Sequence, residues 1–152
     1  MKKSAAAILV LSWVLCTGAN AQSDDWGQAL QWVEKYPSDK LGANGGGLFD
    51  QPLFKSILSR VLPKAEATAL SKFAIESVIQ KVGDYVIVHK CLPHDCPTEM
   101  ATVIIDVKTR QLWVALFSRE AGRTSTRWYA TADDYSTLPD KIKNDFLQRQ
   151  RM

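Results

Sequence analysis

The side chains best suited to chemistry are concentrated in one stretch, HKCLPHDCP at 89–97. His89, Cys91, His94 and Cys96 form an H-x-C-x-x-H-x-C pattern. With both cysteines reduced, that set offers nitrogen and sulfur ligands to zinc or copper. A dithiol could instead carry redox chemistry. Such enzymes, however, usually place Cys-x-x-Cys at a helix start, where the thiolate is stabilised, whereas four residues separate Cys91 from Cys96. With the cysteines paired, the stretch becomes a small closed ring that displays His94 and Asp95 to a partner. A stapled turn with an incidental histidine is the plain alternative.

The compartment bears on this choice. The chain begins MKKSAAAILVLSWVLCTGANAQ, with Lys2 and Lys3 ahead of an apolar core from Ala5 to Cys16 and the small-x-small pattern Ala19-Asn20-Ala21. This predicts a signal peptide over 1–21, cleaved before Gln22, and export to the periplasm of a Gram-negative cell. The core is short for a membrane anchor, and Leu15 ahead of Cys16 argues against a lipoprotein. Cys91 and Cys96 are then the only cysteines left, in an oxidising compartment, and a disulfide between them is expected. That pairing disfavours metal ligation, which needs free thiolates.

Cleavage also changes the charge. The full chain has 19 basic and 16 acidic residues, and losing Lys2 and Lys3 leaves a net charge of about +1 with histidine neutral. No nucleic-acid partner is expected. No second long apolar run follows, so no transmembrane helix is expected. Residues 22–152 suit a single domain with one core. No cofactor pattern is present, and the sequence leaves monomer and homodimer both open.

The elements that must position the ring follow from periodicity. Trp26, Leu30 and Val33 recur at helical spacing within 24–36, behind an acidic start. LGANGGGLFD (41–50) reads as a flexible loop; it lacks the Lys-Ser/Thr of a phosphate loop. A helix is predicted over 50–62, with Asp50 as N-cap, Pro52 in the first turn and Phe54, Ile57, Leu58 and Val61 on one face. A second short helix is expected over 63–73. The period then changes. Two extended runs flank Gly83-Asp84, two more (99–107 and 111–118) flank Lys108-Thr109-Arg110, and TRWYA (126–130) follows a polar turn at 119–125. A last helix is expected over 138–149, started near Pro139. Helices followed by sequential hairpins indicate an α+β fold with an antiparallel sheet. Its nearly continuous apolar runs suggest cover on much of both faces.

On this layout the ring is a hairpin tip. Pro93 fixes its own φ and holds Leu92 extended. The chain-entropy model gives the bridge only ~2 kcal/mol of stability for so small a loop. Ordering four free residues on binding would cost roughly 4–8 kcal/mol, so a stapled loop is better prepared to bind than to stabilise. Arg119, Arg123, Arg127, Lys108 and Arg110 read as solvated turn residues, and Glu99 as a candidate rim contact beside the loop. His89, inside a strand, reads as a packed or surface histidine. His94-Asp95 lacks a nucleophile, so no catalytic constellation is expected.

YVIVHKCLPHDC, followed by QLWVALFS, resembles the Ivy family, the inhibitors of vertebrate lysozyme. The family's protruding loop is Cys-Lys-Pro-His-Asp-Cys. This chain matches it at Cys91, Pro93, His94, Asp95 and Cys96 and departs at Leu92. The similarity in element order covers roughly residues 50–131. The resemblance implies a five-stranded antiparallel sheet with helices packed on one side and a protruding loop. It also implies a non-enzymatic function: loop 91–96 plugs the active-site cleft of C-type lysozyme, and His94 contacts the catalytic carboxyls. Lytic transglycosylases with a similar cleft are a second implied target, and a metal-binding periplasmic protein is the remaining alternative.

Overall fold

The computed structural model describes residues 25–42, 44–96, 98–131 and 135–151. The expected signal peptide, 1–21, lies outside them. Near the start is a 3-10 helix, Trp26–Trp32, rather than an α-helix. Three residues per turn put Trp26, Ala29 and Trp32 on one buried face and turn Leu30 outward. Val33 leaves the helix and bridges Ile79.

The glycine-rich stretch is not a loose loop. Its described residues wrap the buried amide of Gln51, whose Nε2 donates to Gly47 O and Asn44 Oδ1, both at 2.9 Å. A Cβ at Gly42 would lie 1.9 Å from that amide nitrogen, so any side chain there would have to displace the Gln51 amide from its bonds. Asp50 does not cap the following helix. It ends the short 3-10 turn Leu48–Asp50, and its carboxylate accepts from Gly47 N at 3.0 Å. Helix α1, Pro52–Val61, begins one residue later with Gln51 in the cap position. Pro52 has no N–H to leave unsatisfied, so it suits the first turn. Phe54, Ile57 and Leu58 are buried. Each such side chain contributes roughly 1.5–3 kcal/mol, enough to hold a ten-residue helix that would be marginal alone. Helix α2 spans Lys64–Lys72.

The sheet is antiparallel and consists of β1 (Ile75–Glu76), β2 (Gln80–Val82), β3 (Tyr85–Cys91), β4 (Glu99–Asp106), β5 (Gln111–Glu120) and β6 (Arg123–Ala130), in the order β1-β3-β4-β5-β6 with β2 also on β3. The first extended run is broken at 77–79, so one predicted strand becomes two short ones. β6 starts earlier than predicted: the turn is only Ala121-Gly122, between the paired residues Glu120 and Arg123.

Alternation sorts the two faces. Val86, Val88, Ala101, Val103, Ile105, Leu112, Val114 and Leu116 share one core with Trp26, Trp32, Phe54 and Leu70. On the other face, Ile87, Ile104 and Trp113 meet Leu138 and Ile142, and Ala115 and Phe117 meet Phe146. Ile142 and Phe146 belong to α3, Asp140–Arg149, which follows Pro139. Helices therefore pack on both faces, as the apolar runs suggest, not on one side as the resemblance implies. No helix of the described residues is long and apolar enough to cross a membrane.

Candidate functional site

β3 and β4 pair as far as Cys91–Met100, and β1 reaches the same row through Ile75–Cys91. The loop thus rises from a three-stranded base. Cys91 and Cys96 form a disulfide with Cα atoms 5.5 Å apart. Inside the ring, Asp95 N donates to Leu92 O at 3.1 Å, while Leu92 N donates to Glu99 O at 3.0 Å. The carbonyl of Asp95 accepts from Thr98 N (2.7 Å), Glu99 N (2.8 Å) and Thr98 Oγ1 (2.7 Å). Asp95 therefore holds the loop through its main chain. Among the described residues its carboxylate makes no hydrogen bond. At the base, Arg119 N donates to Thr98 O at 2.8 Å, tying the loop to β5.

His94, Asp95 and Cys96 are exposed, and Pro93 is half-buried. His94 has φ +68°, a left-handed conformation uncommon outside glycine but less so for histidine than for most residues. Leu92 is half-buried and packs against the main core under α1 and α2. It follows Lys90 in alternation, on the face away from the disulfide, so the position where the family has lysine anchors the loop to its own domain.

The proposed metal set is not assembled. The two sulfurs are joined to each other, and His89 is buried beneath α3. Its Nδ1 lies 2.9 Å from Thr102 Oγ1, and its Nε2 lies 3.5 Å from Asp145 Oδ2 on α3, too long for a hydrogen bond. Burial, reinforced by the nearby Arg149 cation, pushes the His89 pKa down to about 4, and the Asp145 carboxylate only partly offsets this. Among the described residues no group of three His, Cys, Asp or Glu is placed to hold a metal ion.

Several residues expected to be solvated are engaged. Arg127 Nε donates to Glu66 Oε1 on α2 at 2.7 Å, and the Tyr129 hydroxyl donates to the same oxygen at 3.2 Å. The Arg127 bond holds the Glu66 carboxyl below its usual range. The Arg119 guanidinium donates to Gln150 O and lies 5.7 Å from the Phe117 ring centroid. Glu99 is half-buried beside the loop. Burial pushes its carboxyl up, with Asp95 and Glu120 acting in the same direction against Arg127. Sequence reasoning placed a turn at 119–125 but not its tight tip beside the loop, where Ala121 (φ +48°) and Gly122 (φ +77°) make a two-residue turn at the same end of the sheet. The signal was Gly122 inside a polar run.

Fold and site together define an α+β protein that displays a covalently closed hairpin loop from a sheet covered on both faces. Residues 54–151 match the family described as inhibitor of vertebrate lysozyme (Ivy), and the chain belongs to that family. Membership supports a lysozyme-inhibitor role in general terms, with a lysozyme as protein partner, within a family that is typically extracellular or periplasmic. No curated protein and no solved structure matches the chain.

Proposed function

We propose that the protein is exported through residues 1–21, acts in the periplasm as the single domain 22–152, and inhibits C-type lysozyme by inserting loop 91–96 into the active-site cleft. His94 is the central contact. The observation that carries this reading is the exposed His94 at the tip of a ring closed by Cys91–Cys96. Lysozyme works with two carboxyl groups flanking the scissile bond. An imidazole set between them can donate to one and accept from or donate to the other, depending on its proton count. With the cleft filled, no glycosidic bond reaches those carboxyls.

The backbone supports the same use. The tip is held by the disulfide, by the Asp95 carbonyl's three bonds and by the inward anchor Leu92. Little ordering is left to be done on binding, which raises the affinity obtained from each contact. The mature protein should block lysis of a cell-wall suspension by hen lysozyme at micromolar concentration. His94→Ala should cost about 2–4 kcal/mol in binding, a rise in Kd of roughly thirty- to a thousandfold. Undiminished lysis with the wild-type protein would overturn the assignment. Unchanged affinity in His94→Ala would remove His94 from the centre of the contact.

A further inference from the structure

From the placement of the β5–β6 hairpin tip we infer that the protein grips its lysozyme partner with two projections: residues 119–123 form a brace beside the His94 loop, and Glu120 meets a cationic group on the rim of the partner's cleft. This inference rests on the reading of loop 91–96 as the part that enters the cleft.

The register puts the two projections together. β3 runs into the loop and β5 runs into the Ala121-Gly122 turn, so both tips leave the same end of the sheet. Glu99, at the foot of the loop, pairs with Ser118, which in turn pairs with Ser125. Beyond that row β5 continues through Arg119 and Glu120, a rise of roughly 7 Å before the turn. The midlines of the two hairpins are two strands apart, roughly 10 Å. A protein surface wide enough to receive His94 in a cleft therefore meets the second tip at the cleft's edge.

The second tip is built stiff, as the first is. Ala121 and Gly122 both have positive φ, the geometry of a tight type I′ hairpin turn. Alanine is not the residue local preference would choose there, and a strained position at an exposed tip points to use. The base is fastened three ways: Arg119 N donates to Thr98 O, the Arg119 side chain donates to Gln150 O, and Ser118 Oγ lies 2.8 Å from Ser125 Oγ. A preformed tip costs little to dock.

Charge gives the direction of the contact. Glu120 is exposed, and neither it nor Arg123 opposite has an ion-pair partner among the described residues. Arg119 and Arg127 are engaged within the protein, through Gln150 and Glu66. Asp95 and Glu120 both lie within electrostatic reach of Glu99, at the foot of the gap between the tips, as does the Arg127 cation that pairs with Glu66. Three carboxylates (Asp95, Glu99, Glu120) against the cations of Arg119 and Arg123 leave this margin acidic by a single charge, concentrated at Glu120. That charge favours an approaching cation and should act on the rate of encounter more than on the lifetime of the complex.

The test is surface-plasmon-resonance binding of the full mature protein to hen lysozyme, comparing wild type, Glu120→Lys, Glu120→Ala and His94→Ala. Glu120→Lys should raise Kd roughly tenfold, mostly through slower association, with Glu120→Ala between it and wild type. Most of the difference should vanish at about 0.5 M salt, where the Debye length is only a few Å. Weakening by His94→Ala together with Glu120 variants that match wild type overturns the brace and leaves the loop reading standing. Weakening by the Glu120 variants with a neutral His94→Ala keeps the brace and removes His94. Parallel indifference overturns both. Glu120 is exposed, and the circular-dichroism spectrum of each variant confirms that the fold is intact.

Discussion

Mild acid should destabilise the protein through His89, with the half-buried carboxyl of Glu99, pushed up in the fold, acting in the opposite direction. The ring is buried between β3 and α3, next to Thr102, Asp145 and Arg149. Its pKa falls from an ordinary 6.5 to about 4 in the fold. Between those values the unfolded chain binds a proton that the folded chain refuses, so stability drops as pH falls. It is fully present above about 6.5 and lost progressively toward 4. At ~1.4 kcal/mol per pH unit, with the two ends of the titration rounded off, the loss between pH 7 and pH 4.5 is about 2 kcal/mol. Urea titrations at the two pH values should show the midpoint falling by roughly 1 M. His89→Gln keeps a polar contact to Thr102 and cannot titrate, so its midpoint should move much less. Parallel curves for wild type and His89→Gln would refute the assignment, because the acid sensitivity would then come from other groups.

Two further outcomes test the loop and the second tip. Replacing both Cys91 and Cys96 by alanine should lower stability by only ~2 kcal/mol, with the far-ultraviolet spectrum retained. Lysozyme binding should weaken by a larger factor, because the freed residues must then be ordered on contact; an unchanged Kd by calorimetry would show that the bridge does not prepare the loop. Ala121→Gly should stabilise the protein by about 0.5–1 kcal/mol, the left-handed penalty on alanine less the extra freedom glycine gains when unfolded. A thermal midpoint raised by about 3 °C is expected, and a fall would contradict the positive φ.

The hairpin tip was legible because its determinants are local. Two cysteines five positions apart and Pro93 between them define the ring without reference to the rest of the chain. Helix α1 was legible for a similar reason, since Pro52 marks its start and Phe54, Ile57 and Leu58 mark its buried side. What sequence could not supply was the identity of distant partners. Leu92 turns inward because a core built by α1 and α2 lies beneath it. Arg127 finds Glu66 across 61 residues. His89 looked the same whether packed or exposed until α3 covered it. The Trp26–Trp32 segment carries apolar residues at spacings of both three and four, so only the packed structure distinguishes a 3-10 face from an α face.

The order β3-β4-β5-β6 is a meander, in which each strand lies against the one just before it in the chain. Pairings of that kind close short loops, which favours rapid folding. The bridge is as local as the pairing, with its halves five residues apart. An oxidant can therefore seal the ring on a hairpin that has barely formed, without waiting for Trp26–Trp32 or α3 to dock. Among the described residues, the 91–96 tip is then the part whose covalent assembly does not depend on completion of the rest.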